Sequence, residues 1–238
     1  MFRAGGSSSK KIGILGGIGP EATGNFYLRL IARLQGTGRI ESNTDFPQIL
    51  VNSIPAPELV GEHTTGKELA PYFKGLIELE AANVDFIAMA CNTIHLHHKM
   101  LQSRIRTPII DLREELRLFM WGRGVGSMVV LGTPQTMRKG LYRLEGVKYY
   151  ELEEMEAKEI GEAISNFNSG LDRQGAARRV DAVARKYVGL GAEVVVLGCT
   201  EISLMLLESR FDKVDTMDVL VDAVLRNVYG KNAEISRK

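Results

Sequence analysis

Two cysteines, Cys91 and Cys199, are the residues of this 238-residue chain whose type and setting are suited to chemistry. Each closes an apolar run and opens a polar turn. Asp85-Phe86-Ile87-Ala88-Met89-Ala90 leads into Cys91-Asn92-Thr93-Ile94-His95, and Glu193-Val194-Val195-Val196-Leu197-Gly198 leads into Cys199-Thr200-Glu201-Ile202-Ser203. Such a segment reads as strand, turn and helix start, and in open parallel sheets ligands gather where strands end. The free N–H groups and dipole of a helix start favour a thiolate, so both thiols are expected to have lowered pKa values. A lone buried cysteine is ordinarily an inert small hydrophobe. Two in equivalent settings point to a shared role.

A redox pair would show a C-x-x-C spacing, which is absent. Zinc needs three or four ligands. His95, His97 and His98 stand beside Cys91, but on a helix His95 and His98 share a face that His97 does not, so no metal is expected. What remains is acid–base work on the two faces of one carbon. One thiolate removes a proton, the opposed thiol returns one to the other face, and the centre inverts.

A glycine-rich turn, Gly16-Gly17-Ile18-Gly19-Pro20-Glu21, follows the first apolar run and opens a helix. It allows close backbone approach to an anion at a helix N-terminus. Its spacing fits a dinucleotide fingerprint poorly: Gly17 and Gly19 are followed by Ala22, Pro20 intrudes, and the next strand ends in Val51-Asn52-Ser53 without an acidic ribose partner. A substrate carboxylate is therefore the expected guest, and no cofactor is expected. Thr133 and Thr136 occupy the equivalent turn later in the chain, where Thr133 also suits a helix N-cap. Asn52 is a further candidate for substrate binding.

Positioning these residues requires short apolar strands alternating with helices. Strands are expected at 12–15, 48–52, 86–90, 109–110, 128–131, 147–150, 194–197 and 213–214. Helices are expected at 21–35, 67–82, 93–104, 113–121, 135–144, 151–167, 174–190 and 217–228. Strands that are apolar without alternation belong to parallel sheets covered on both faces. The chain also repeats itself. Ile12-Gly13-Ile14-Leu15-Gly16 is echoed by Met128-Val129-Val130-Leu131-Gly132, the Cys91 segment by the Cys199 segment, and Pro108-Ile109-Ile110-Asp111 by Lys213-Val214-Asp215. Three echoes in one order imply two similar α/β halves, each a mostly parallel sheet flanked by helices. The expected division is a flexible Gly/Ser tail over 1–10, a first domain of 11–113 plus 215–238, and a second of 114–214.

Composition narrows the function. Thirty basic against 29 acidic residues leave a net charge of +1, which advertises neither nucleic acid nor an anionic membrane. Hydrophobic residues at 45% and charged residues at 25% exclude long disorder. No run of roughly 18 apolar residues offers a membrane span. The opening segment lacks the apolar core of a signal peptide, and two cysteines are too few for a disulfide-stapled fold, so a reducing cytoplasm and free thiols are expected.

Taken together, Gly16-Gly17-Ile18-Gly19-Pro20-Glu21-Ala22-Thr23, Cys91-Asn92-Thr93-Ile94-His95 and Gly198-Cys199-Thr200-Glu201-Ile202 resemble the aspartate/glutamate racemase superfamily, in its aspartate racemase branch. The similarity runs from Lys11 to about Tyr229. It implies a cofactor-independent amino-acid racemase, commonly a homodimer, of two pseudo-symmetric α/β domains with the active site in the cleft between them. Cys91 and Cys199 would be the two bases, with Cys199 acting on the L-enantiomer and Cys91 on the D-enantiomer. Asn92, Thr93, Thr200 and the Ile18-Gly19 backbone would bind the substrate α-carboxylate, and His95 and Glu201 would orient the thiols.

The sequence departs from that branch where substrate is chosen. The basic side chain expected after the second strand is replaced by Leu59, and a second basic position by Asn168. His63, Lys67, Lys158 or Arg173 are the nearby cations that would have to substitute. Two other readings fit the fold: a decarboxylase or cis-trans isomerase of small dicarboxylates using one thiol, and a small-molecule binding protein.

Overall fold

A computed structural model describes residues 10–59 and 64–230. The tail expected over 1–10 lies outside the described residues but for Lys10, as does His63. The first sheet has the order β2-β1-β3, from β1 (Ile12–Gly16), β2 (Ile49–Ser53) and β3 (Phe86–Met89), all parallel. The second has the order β5-β4-β6-β7, from β4 (Ser127–Gly132), β5 (Lys148–Tyr150), β6 (Val194–Gly198) and β7 (Lys213–Asp215), also parallel. The echoed segments occupy equivalent places: β1 and β4 are central, with β3 and β6 on the same side of each. These four strands are buried along their whole length, which is why their residues are apolar without alternation.

Helices cover both sheets: α1 (Pro20–Gly36), α2 (Gly66–Ala81), α3 (His98–Gln102), α4 (Leu112–Arg123), α5 (Pro134–Arg138), α6 (Glu154–Asn168), α7 (Arg173–Gly189), α8 (Thr200–Met205) and α9 (Thr216–Tyr229). One apolar core is shared. It joins Ile12 and Ile14 of β1 to Val130 of β4 and Val196 of β6, through Phe26 and Leu30 of α1, Leu116 and Met120 of α4, and Leu220 and Val224 of α9. Each fully buried side chain of this size contributes about 2 kcal/mol by leaving water. The outer faces have their own cores, under α2 in one half and under α6 and α7 in the other. The chain's last described helix thus packs back on α1 and α4. Ion pairs from Arg29 of α1 to Asp215 (2.5 Å) and from Arg33 to Asp222 (2.6 Å) tie the junction, and Arg29 also donates to the Ser203 hydroxyl (2.9 Å). No helix among the described residues is long and apolar enough to cross a membrane.

Three expected elements differ. The helix expected over 93–104 is a 3₁₀ turn, Thr93–His97, followed by the short α3. The tighter winding turns Thr93, Ile94 and His95 all inward, where a regular α-helix would expose part of the set. The helix expected over 135–144 ends with α5, two residues before Gly140 takes a left-handed φ of 58°. The strand expected at 109–110 is a single parallel bridge from Ile109 to Ile87.

Candidate active site

Two glycines shape the first wall. Gly17 and Gly19 have φ of 90° and 82°, a left-handed region that only glycine enters cheaply. A Cβ on Gly17 would fall 2.2 Å from the Ile54 carbonyl oxygen, and one on Gly19 would fall 2.0 Å from Oε1 of Glu201 in the other half. Thr23 ties the turn together, accepting from the Gly17 N–H at 2.9 Å and donating to the Gly19 carbonyl at 3.1 Å. Ile18 and Gly19 are thereby held against the pocket.

Both thiols line this one pocket. Cys91 follows β3, and Cys199 follows β6 as the N-cap of α8. The first half also supplies Glu58, Leu59, Asn92 and Thr93 to the walls, and the second supplies Thr133, Ile164, Asn168, Thr200 and Glu201. Three hydroxyls cross the junction: Thr93 lies 2.9 Å from Thr133 and 3.1 Å from Thr136, and these two lie 3.1 Å apart. Thr133 caps α5, as its sequence position predicts, accepting from the Thr136 N–H. Thr136 stands behind the wall and supports it.

Tyr142 was invisible in the sequence. It is 1% exposed, and its hydroxyl donates to Oδ1 of Asn92 across the junction. This fixes the carboxamide so that Nδ2, buried and without a protein partner, is left as a donor at the pocket. No local pattern marks Tyr142, because its partner lies 50 residues away.

The electrostatics overturn the lowered thiol pKa values read from the helix starts. Burial pushes the Cys91 thiol up to about 12, against the opposing pull of the Thr93 and Ile94 N–H groups, and the Glu201 carboxylate adds to the rise. The Cys199 thiol is likewise raised, by burial first and then by the Glu201 carboxylate and its hydrogen bond. Desolvating a thiolate beside a carboxylate outweighs a helix start of one or two turns. The Cys199 thiol donates to Oε2 of Glu201 at 2.9 Å, as does the Thr200 hydroxyl at 2.9 Å. Oε1 of Glu201 is buried without a partner, and burial raises this carboxyl's pKa.

Several candidates are not brought together. Asn52 does not line the pocket; its amide donates to the Gly75 carbonyl (3.1 Å) and Glu78 (2.8 Å) on α2. His95 does not reach it either. Its ring is buried and stacked on His98, with centroids 6.0 Å apart, and burial lowers its pKa to about 3. Its inward position follows from the 3₁₀ turn. Lys67 and Lys158 are exposed and outside the pocket, and Arg173 is held by two hydrogen bonds to Glu21, 2.7 and 2.8 Å. Among the described residues no cluster of three His, Cys, Asp or Glu is arranged to hold a metal ion.

The family model described as Asp/Glu/Hydantoin racemase matches residues 15–224. Among characterised relatives, the broad-specificity amino-acid racemase RacX of Bacillus subtilis strain 168 is 23% identical over 220 residues, covering 90% of this chain and 96% of that protein. The Picrophilus torridus aspartate racemase structure superimposes with a TM-score of 0.76 at 20% identity, over 92% of this chain and 94% of the other. Glutamate racemase from Francisella tularensis, solved with D-glutamate, gives 0.63 at 16% identity, over 97% and 85%. At these identities the structural matches establish the fold.

Proposed function

Since the chain belongs to the Asp/Glu/hydantoin racemase family, we propose that it interconverts the L- and D-enantiomers of an α-amino acid by two-base proton transfer between Cys91 and Cys199, without a cofactor. One observation carries this reading: the two thiols reach a single pocket from the ends of equivalent strands in opposite halves. A substrate Cα between them presents one face to each sulfur.

The proton balance closes within the pocket. Cys199 begins as a thiol donating to Glu201. Passing that proton to the carboxylate, whose pKa burial raises, leaves a thiolate and a neutral acid. The thiolate takes the α-proton, forming S–H and an enolate-like carbanion. The opposed Cys91 thiol then donates its proton to the other face and becomes the thiolate for the reverse direction. The developing charge on the substrate carboxylate falls to the free Nδ2 of Asn92 and the hydroxyls of Thr93 and Thr133. These donors do the work that a cofactor's electron sink would otherwise do. In this reading Oε1 of Glu201, buried and without a partner, accepts from the substrate ammonium.

The test is to incubate a panel of L- and D-amino acids in deuterated water without added cofactor and follow α-deuteration by NMR. The wild type is expected to exchange and invert. Cys91→Ala and Cys199→Ala are each expected to lose inversion by at least ~10³-fold, since each removes a proton donor or acceptor. Full inversion by either variant overturns the two-base mechanism, and malonate or maleate turnover surviving loss of one thiol favours single-thiol chemistry.

A further inference from the structure

Resting on that racemase reading, we propose that the preferred substrate carries a cation at the end of its side chain, which Glu58 receives at the rim of the pocket. The pocket is graded. At its floor lie the thiols with Asn92 and Glu201, all buried. The same buried part has apolar walls in Leu59 (4% exposed) and Ile164 (1%). At the rim, exposed Glu58 accepts from Asn168 Nδ2 at 3.1 Å, a link between the two halves.

No lysine or arginine lines the pocket among the described residues, whereas two carboxylates do. A second carboxylate on the substrate would meet Glu58 and Glu201, with no lysine or arginine among the described lining residues to offset its desolvation. A chain of methylenes ending in an ammonium or guanidinium matches a buried apolar wall beside an exposed carboxylate. The buried, unpartnered Oε1 of Glu201 is left for the α-ammonium that every amino acid carries, so the choice between side chains falls to Glu58. Because Glu58 is exposed, its preference is modest and is weakened by salt.

The experiment compares kcat/KM for L-ornithine, L-norvaline and L-glutamate at low ionic strength, in the wild type, Glu58→Gln and Glu58→Lys. The expected wild-type order is ornithine, norvaline, glutamate. Glu58→Gln should lower the ornithine-to-norvaline ratio about fivefold, the scale of one exposed charge pair, and Glu58→Lys should raise glutamate above ornithine. Working with ratios inside one variant cancels any general loss of folding or activity. Wild-type preference for glutamate, or a ratio indifferent to Glu58→Gln, overturns the proposal. If no amino acid exchanges its α-hydrogen, the racemase reading fails instead. Calorimetric titration of the wild type with ornithine and glutamate then decides the charge preference, and glutamate binding as tightly as ornithine overturns it.

Discussion

The thiol of Cys199 donates to Oε2 of Glu201 at 2.9 Å, while Oε1 of the same carboxylate stands where a side chain on Gly19 would have to go. One carboxylate therefore connects a candidate base in one half to the glycine turn in the other. Its charge and its hydrogen bond both hold the Cys199 proton on sulfur.

Glu201→Gln tests that connection. Losing the negative charge should lower the Cys199 pKa, so the ascending limb of the pH–rate profile should move to lower pH. Losing the proton acceptor should cut kcat by about 10²-fold. Alkylation rates of Cys199 against pH, measured in a Cys91→Ala background, read the thiol directly. An unmoved profile would remove Glu201 from the mechanism.

Gly19→Ala should be poorly active. The added methyl must displace Oε1 of Glu201, and the left-handed backbone costs a non-glycine residue about 1–2 kcal/mol. A fall of tenfold or more in kcat/KM is expected, with a lowered melting temperature. Gly24→Ala is the counterpart on the exposed face of α1, where a Cβ meets nothing within 4 Å. It should stabilise by about 0.5–1 kcal/mol and leave catalysis unchanged. Equal behaviour of the two variants would contradict the packing of the turn.

His95 should make the fold sensitive to acid. Burial lowers its folded pKa to about 3, whereas the unfolded value is about 6.5. Between these values the unfolded chain binds a proton that the native state does not. Stability is fully present above pH 6.5 and declines as pH falls toward 3, by ~1 kcal/mol per pH unit for this group. His95→Leu should flatten the slope of unfolding free energy against pH by that amount in urea melts between pH 6.5 and 4. An unchanged slope would show that His95 titrates alike in both states.

The central strands are legible in the sequence because a strand covered on both faces must be apolar at every position, and β1, β3, β4 and β6 are. Helix lengths are less so. Gly140 ends α5 early through a left-handed φ, and the 93–97 segment winds as 3₁₀, and neither shows in apolar spacing. The ends of apolar strands and the turns after them pointed to Ile18, Gly19, Cys91, Thr133 and Cys199, the family resemblance added Asn92, Thr93, Thr200 and Glu201, and all nine line the pocket. Asn52 also ends a strand, yet its amide is taken by Gly75 and Glu78 of α2.

By itself, then, the amino-acid sequence determined two echoing α/β halves and one thiol at the same strand end in each, since periodicity and repetition are local properties of a chain. Only the tertiary structure decided the electrostatic character of those thiols, the use of Tyr142 to aim Asn92, and the presence of Glu58 in the pocket lining. Each of these depends on which distant groups share a dehydrated space. A local helix start favours a thiolate, but burial and a carboxylate in the folded molecule decide whether it forms.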